Sequence, residues 1–225
     1  MTDLHQSVVE QGYFELPGAL PPELVARARR DVEARADSLD SFEDDAMWEI
    51  LDAILPVARE ALAHDVAILP SFWAWRIEPG RKGWHAHRDD APRARDQNGN
   101  LTMLTIWVPL TDATPRNGCI HCVPAYFDLA YENPHANNVV FDNQYIRAVP
   151  ATAGSILGWS HALLHWGGVC APGEPARIAT SYEVIRSDLP DLMPRWHPAG
   201  WRPGRSERRE LIAEMREKYA HLATP

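Results

Sequence analysis

The chain has 225 residues, 45% apolar and 24% charged, enough to bury a sizeable core. Its 22 Lys and Arg stand against 31 Asp and Glu, a formal charge of −9 that argues against a phosphate-neutralising face and so against a nucleic-acid partner. No apolar run exceeds four residues, so neither a membrane span nor a signal peptide is expected, and three Cys do not make a disulfide framework; the expectation is a reducing cytoplasm.

Residues 20–37 predict a helix. Pro21 and Pro22 punctuate its start, and Leu24, Ala28 and Val32 recur at i+4. Residues 45–63 repeat the pattern with Met47, Ile50, Leu51 and Ile54, and Pro56 is expected to kink or split that helix. After Pro70, short aromatic and β-branched stretches alternate with Gly, Pro, Asn and Asp. They predict strands at 72–78, 84–89, 101–110, 119–123, 139–149, 154–159, 162–166 and 176–186. Such strands with no helices between them indicate a sandwich, jelly roll or barrel, not a parallel α/β sheet. A last helix is predicted near 206–222, where Leu211, Met215 and Leu222 share a face and Glu214 precedes Lys218 by four. The expectation is one α+β, mainly β domain over 1–225, with a helical part to residue 70, a β-core over 71–187 and the C-terminal helix.

There are nine Trp and ten His, and six of each fall between residues 73 and 166. Within that region stands GWHAHRDD. On a strand, His85, His87 and Asp89 would share one face. A His-x-Asp pair with a distant third His makes the two-His, one-carboxylate triad suited to Fe(II). Alone the pair is weak, since about 1.4 His-x-acid triplets are expected by chance and one occurs. It gains weight from GSILGWSHALLHWGGVCAPGEPARIATS, where His165 closes one strand and Arg177 sits twelve residues on, in the next. Antiparallel neighbours would bring Arg177 to the floor of a His165 pocket, where its planar fork of donors suits a carboxylate. A three-His site of His85, His87 and His165 stays open on the residues alone.

Four stretches together resemble the phytanoyl-CoA dioxygenase family of Fe(II)/2-oxoglutarate oxygenases: VVEQGYFELPGALPPELV, WRIEPGRKGWHAHRD, LTIWVPLTDATPRNGCIHCVP and the segment from His165 to RIATS. The resemblance spans roughly residues 8–186. It implies a double-stranded β-helix (a cupin-like jelly roll) flanked by helices, with His87, Asp89 and His165 as iron ligands. Arg177 would hold the distal carboxylate of 2-oxoglutarate, Thr105 would touch the cosubstrate and Trp107 would line the pocket. Arg76 falls at a polar cosubstrate contact, and Ser181 follows the arginine by four. The implied cofactors are Fe(II), 2-oxoglutarate and O2. The implied reaction is hydroxylation of an unactivated C–H bond of a small molecule, amino-acid-like or a secondary metabolite, with release of succinate and CO2. Related halogenases carry a small residue at the carboxylate position, so Asp89 points to hydroxylation. The family often reads Trp-His-x-Asp, which here would pair His85 with His87 and leave no carboxylate. Three competing readings follow: a three-His, cupin-type dioxygenase independent of 2-oxoglutarate, a hydrolytic zinc enzyme, in which Arg177 would have no assigned role, and a catalytically idle metal-binding module.

Cys119 and Cys122 flank His121 like half a zinc site, but no second Cys pair exists. His121 stays a candidate for the cavity wall. His161 reads as structural, Trp107 and Trp166 as walls of the site, and residues 124–150 as its lid and specificity segment. No phosphate loop, GxSxG elbow or dinucleotide fingerprint occurs. The substrate and the oligomeric state are not legible.

Overall fold

The computed structural model describes residues 3–133 and 140–220. Three helices open the chain: α1 (Leu4–Gln11), α2 (Pro22–Glu33) and α3 (Asp45–Leu62). The Asp3 side chain accepts from Gln6 N to start α1, and Gly12, at φ 85°, ends it. Helix α3 runs through Pro56 without splitting. The hydrogen bond that proline forfeits is outweighed by the ten side chains α3 buries, Trp48 and Met47 among them.

The strands are β1 (Tyr13–Leu16), β2 (Val66–Ile77), β3 (Met103–Pro109), β4 (Ile120–Val123), β5 (Arg147–Val149), β6 (Ile156–Ser160), β7 (Leu164–Gly167), β8 (Arg177–Arg186) and β9 (His197–Pro198); α4 (Arg205–Lys218) follows. They form two antiparallel sheets of a jelly roll, one in the order β1-β6-β3-β8-β2-β9 and the other β5-β4-β7. In the larger sheet both faces are covered. Leu104, Ile106 and Val108 of β3, with Ile178, Tyr182 and Val184 of β8, join the helices in the main core. The alternate residues Thr105, Trp107, Arg177, Ser181 and Glu183 line a cavity that Ile120 and His165 of the smaller sheet close from the other side.

Four sequence expectations need correction. Strand β2 begins before Pro70 and absorbs it, because its register with β8 slips between Ile68 and Phe72, a bulge where the missing N–H breaks no ladder. Residues 84–89 form no strand; only His87 pairs, in a single bridge with His165. Of 139–149, the strand is confined to Arg147–Val149, and Val139 lies outside the described residues. The predicted C-terminal helix ends at Lys218, and residues 221–222 of that expectation also lie outside them.

Candidate metal centre

Two glycines set the backbone of the site. A Cβ on Gly83 would lie 2.7 Å from Gly167 Cα, so only a glycine pair lets the chain before His87 run against β7. His87 and His165 then exchange both backbone hydrogen bonds at 3.0 Å, which places their side chains together. Each ring faces a backbone carbonyl through Nδ1: His87 to His85 O at 2.8 Å, His165 to Leu163 O at 3.1 Å. With Nδ1–H donated, each Nε2 carries a lone pair toward Asp89. Asp89 Oδ1 lies 3.3 Å from His87 Nε2 and 3.7 Å from His165 Nε2. One ligand atom from each of the three residues falls within 4.8 Å of the others. The other carboxylate oxygen is occupied: Thr105 Oγ1 donates to Asp89 Oδ2 at 2.7 Å and Trp159 Nε1 at 2.9 Å.

Charge follows this geometry. Burial alone would raise the Asp89 carboxyl, but the imidazoles of His165 and His87 hold it well below the usual carboxylate range. Burial pushes His165 down to about 4, so it is neutral at pH 7. His87 is also penalised by burial, yet its contact with Asp89 prevails and raises it. Two imidazoles and one carboxylate with converging free electron pairs fit a divalent iron.

Arg177 opens onto the same cavity, of about 460 Å³, within the roughly 300–1,000 Å³ typical of small-molecule sites. It is 1% exposed, its Cζ stands 5.5 Å from the Trp107 ring centroid, and burial pushes it down to about 10, still charged at neutral pH. Its Nε and Nη1 are buried and have no hydrogen-bond partner among the described residues. A guanidinium left so is costly, and a ligand carboxylate would satisfy it in its own fork geometry. Gly167 leaves the room, since a Cβ there would come 3.4 Å from Arg177 Nη2.

The cavity thus brings together His87, Asp89, His165, Thr105, Trp107, Arg177 and Ser181. Arg76 does not join it. It points to the opposite face of β2, exposed, with its Nε donating to Glu78 Oε1 at 2.7 Å. His121 and Trp166 stack on each other away from the cavity, with ring centroids 5.8 Å apart. Cys119 and Cys122 are buried and free, and among the described residues the His87–Asp89–His165 group alone has metal-holding geometry. His85 stands exposed at the rim, its ring centroid 6.1 Å from that of His87. No described residue of 124–150 lines the cavity, and 134–139 lie outside the described set. That segment is tied down instead by a buried pair, Arg88 Nη1 to Asp128 Oδ2 at 2.6 Å.

Sequence reasoning missed Trp159, although it shares a face with Leu157 on β6 and pairs directly with Thr105. It read His161 as structural without finding its partner: the residue is buried with Nε2 3.2 Å from Thr105 Oγ1. Because the Thr105 proton is committed to Asp89, His161 donates from Nε2 and braces that hydroxyl.

A jelly roll whose sheets enclose two imidazoles, a carboxylate and a buried arginine with two nitrogens unpartnered among the described residues defines the class of non-haem iron, 2-oxoglutarate-dependent enzymes. The family model described as phytanoyl-CoA dioxygenase (PhyH) matches residues 49–169, and the chain belongs to that family. Among solved structures it is similar to the non-haem α-ketoglutarate-dependent epimerase SnoN from nogalamycin biosynthesis, at 18% identity and TM-score 0.64, covering 90% of this chain and 95% of that one. It is similar to the non-haem monooxygenase ThoJ at 15% and 0.68, covering 96% and 100%. It is also similar to HygX from Streptomyces hygroscopicus with nickel and 2-oxoglutarate bound, at 16% and 0.63, covering 83% and 87%. These likenesses are of fold, the double-stranded β-helix. No curated protein sequence matches the chain. Among the described residues, no helix is long and apolar enough to cross a membrane.

Proposed function

We propose that the protein hydroxylates an unactivated C–H bond of a small molecule, using Fe(II), 2-oxoglutarate and O2, within one domain spanning the chain. The observation that carries this reading is the convergence of His87 Nε2, His165 Nε2 and Asp89 Oδ1 in a cavity that also holds Arg177, whose Nε and Nη1 have no partner among the described residues. Those three atoms would hold the iron, and Arg177 would take the distal carboxylate of 2-oxoglutarate. When bound, iron and cosubstrate supply an O2-dependent oxidation in which 2-oxoglutarate ends as succinate and CO2.

The chain does the rest. Thr105 and Trp159 occupy Asp89 Oδ2 and so present Oδ1 alone to the metal. The carbonyls of His85 and Leu163 fix the tautomers of the two histidines. Trp107 covers the guanidinium and keeps water from competing for it, which strengthens its hold on an anion. Asp89 fills the position that a halide would need, which favours hydroxylation. Solved structures of this fold include an epimerase and a carbocyclase, so the outcome is read from the product. Anaerobic Fe(II) plus 2-oxoglutarate should give the weak visible charge-transfer band of a chelated keto acid. A substrate screen by mass spectrometry should then show a gain of one oxygen coupled to succinate. A colourless complex with both shown to be bound would sink the chelate reading, and a product lacking new oxygen would sink hydroxylation.

A further inference from the structure

The mouth of the cavity carries a second polar cluster that the iron chemistry does not use. Ser71 Oγ lies 2.6 Å from Glu183 Oε1, 3.0 Å from Lys218 Nζ and 3.2 Å from Tyr219 OH. Glu183 is an acceptor and Lys218 a donor, so the directions are fixed. Ser71 gives its one proton to Glu183 and accepts from both Lys218 and Tyr219. Ser71 is then saturated, Lys218 also lies against Tyr219, and one Lys218 N–H and Glu183 Oε2 are left to face a ligand. Helix α4 delivers Lys218 from its last turn, and Tyr219 follows directly. Leu211, Ile212 and Met215 anchor that helix in the core, and Arg216 pairs with Asp37 at 3.0 Å. Beside the cluster stands an aromatic wall. The Tyr219 ring lies 5.1 Å from Trp73 and 5.1 Å from Trp84, and Trp84 lies 4.4 Å from Trp75.

We infer that Ser71, Glu183, Lys218 and Tyr219 form the substrate-recognition subsite, and that the substrate presents adjacent hydroxyl groups on a ring; this rests on the oxygenase reading above. A hydroxyl both donates and accepts, so neighbouring hydroxyls use the free Glu183 oxygen and the remaining Lys218 proton together. The C–H face of a ring packs on Trp73, Trp84 and Tyr219. Charged ligands fit less well. The ammonium and the carboxylate are separated by one hydroxyl, so an anion drawn to Lys218 meets Glu183 and a cation drawn to Glu183 meets Lys218. An amino-acid zwitterion meets one partner at each end but covers less of the aromatic wall than a hydroxylated ring, so it enters the test as the competing ligand.

The test is a tryptophan-fluorescence titration of the full, metal-free chain, since three Trp border the subsite. The probes are methyl α-glucopyranoside and myo-inositol as polyols, L-proline as zwitterion, choline as cation and hexanoate as anion. The polyols should change the emission, and Glu183→Gln and Lys218→Met should each weaken that response at least tenfold with unchanged melting. Tyr219→Phe, which keeps the ring and loses one donor, should weaken it less. A response confined to proline, choline or hexanoate, no polyol response, or polyol binding undiminished in both charge variants would overturn the inference. Iron and 2-oxoglutarate are absent from this assay, so failure of the oxygenase reading shows in its own charge-transfer test and failure of the subsite shows here.

Discussion

Thr105 donates its hydroxyl proton to Asp89 Oδ2 at 2.7 Å, from the strand directly beside the one that supplies Trp159 to the same oxygen. Two donors on one carboxylate oxygen leave the other to bind metal and stop the carboxylate rotating. Removing either should loosen the metal without removing a ligand. Thr105→Val is expected to weaken Fe(II) binding about 10–100-fold, the usual cost of losing a partner that orients a ligand. Trp159→Phe should act in the same direction. Calorimetry with Fe(II) under argon checks this, and affinity unchanged in both variants would show that Asp89 is held by other means.

Arg177 and Arg76 make a controlled pair. Arg177 is buried in the cavity with two nitrogens that have no partner among the described residues, whereas Arg76 is exposed and engaged with Glu78. Arg177→Leu should raise the 2-oxoglutarate KM by roughly thirty- to several-thousand-fold, since breaking a desolvated charge pair costs about 2–5 kcal/mol. Iron affinity should stay nearly intact. Arg76→Leu should change neither. Steady-state kinetics at fixed substrate separates the two, and a large KM change in the Arg76 variant alone would move the anchor across the sheet.

The sequence shows some parts of this cavity and hides others, for reasons of distance along the chain. His87 and Asp89 stand two residues apart, and Arg177 follows His165 by twelve, so local spacing suffices to group them. The strand argument for GWHAHRDD nevertheless fails: the segment is irregular, and a glycine contact places it, a relation between Gly83 and Gly167 that no period reveals. Arg76 was legible after all. Trp73 and Trp75 face the cavity, so period-two alternation sends Arg76 the other way. The Ser71 cluster was not, because its members lie 112 and 147 positions apart and meet only when α4 folds back over β2.

Proton competition gives metal binding a defined pH dependence. Both imidazoles must be neutral to ligate. His165 is neutral down to about 4, whereas His87 is raised above its ordinary value by Asp89 and still holds a proton under mildly acid conditions. A bound divalent ion must displace that proton. Affinity should therefore fall as pH drops through the raised value of His87, by about tenfold per pH unit, and twice as steeply on a logarithmic scale once His165 also protonates near 4. Ni(II) titrations between pH 5 and 8 in buffers of different ionisation enthalpy read the released proton. A flat profile would remove His87 from the ligand set.

Gly167 joins stability to the site. A Cβ there would stand 2.9 Å from Gly83 Cα, a backbone atom that cannot swing aside, and 3.4 Å from Arg177 Nη2. Gly167→Ala should cost about 1–3 kcal/mol by overpacking, which for a chain of this size lowers Tm by roughly 2–4 °C per kcal/mol. It should also weaken iron and 2-oxoglutarate binding together, because the displaced strand carries His165 and crowds Arg177. Calorimetric melting with two ligand titrations tests the coupling; a lower Tm with both affinities intact would confine Gly167 to packing.

The contrast between Asp89 and His85 decides which third group holds the iron. His85 contributes its main-chain carbonyl, which accepts from His87 Nδ1 at 2.8 Å, while its ring lies exposed at the rim. His85→Ala keeps that carbonyl. It should retain iron and lose at most part of the activity through the shape of the cavity mouth. Asp89 contributes a charged oxygen within reach of both His Nε2 atoms, and nothing else among the described residues replaces it. Asp89→Ala should bind iron weakly and lose turnover, and it also strands the Thr105 hydroxyl and the Trp159 N–H without an acceptor. Asp89→Asn separates these effects, since its amide oxygen can still accept from both donors while the ligand charge is gone. Iron retained in Asp89→Asn with turnover abolished would assign the charge to chemistry more than to holding the metal. Iron lost in His85→Ala and kept in Asp89→Ala would replace the carboxylate with a third imidazole, and the 2-oxoglutarate requirement would then have to be measured afresh.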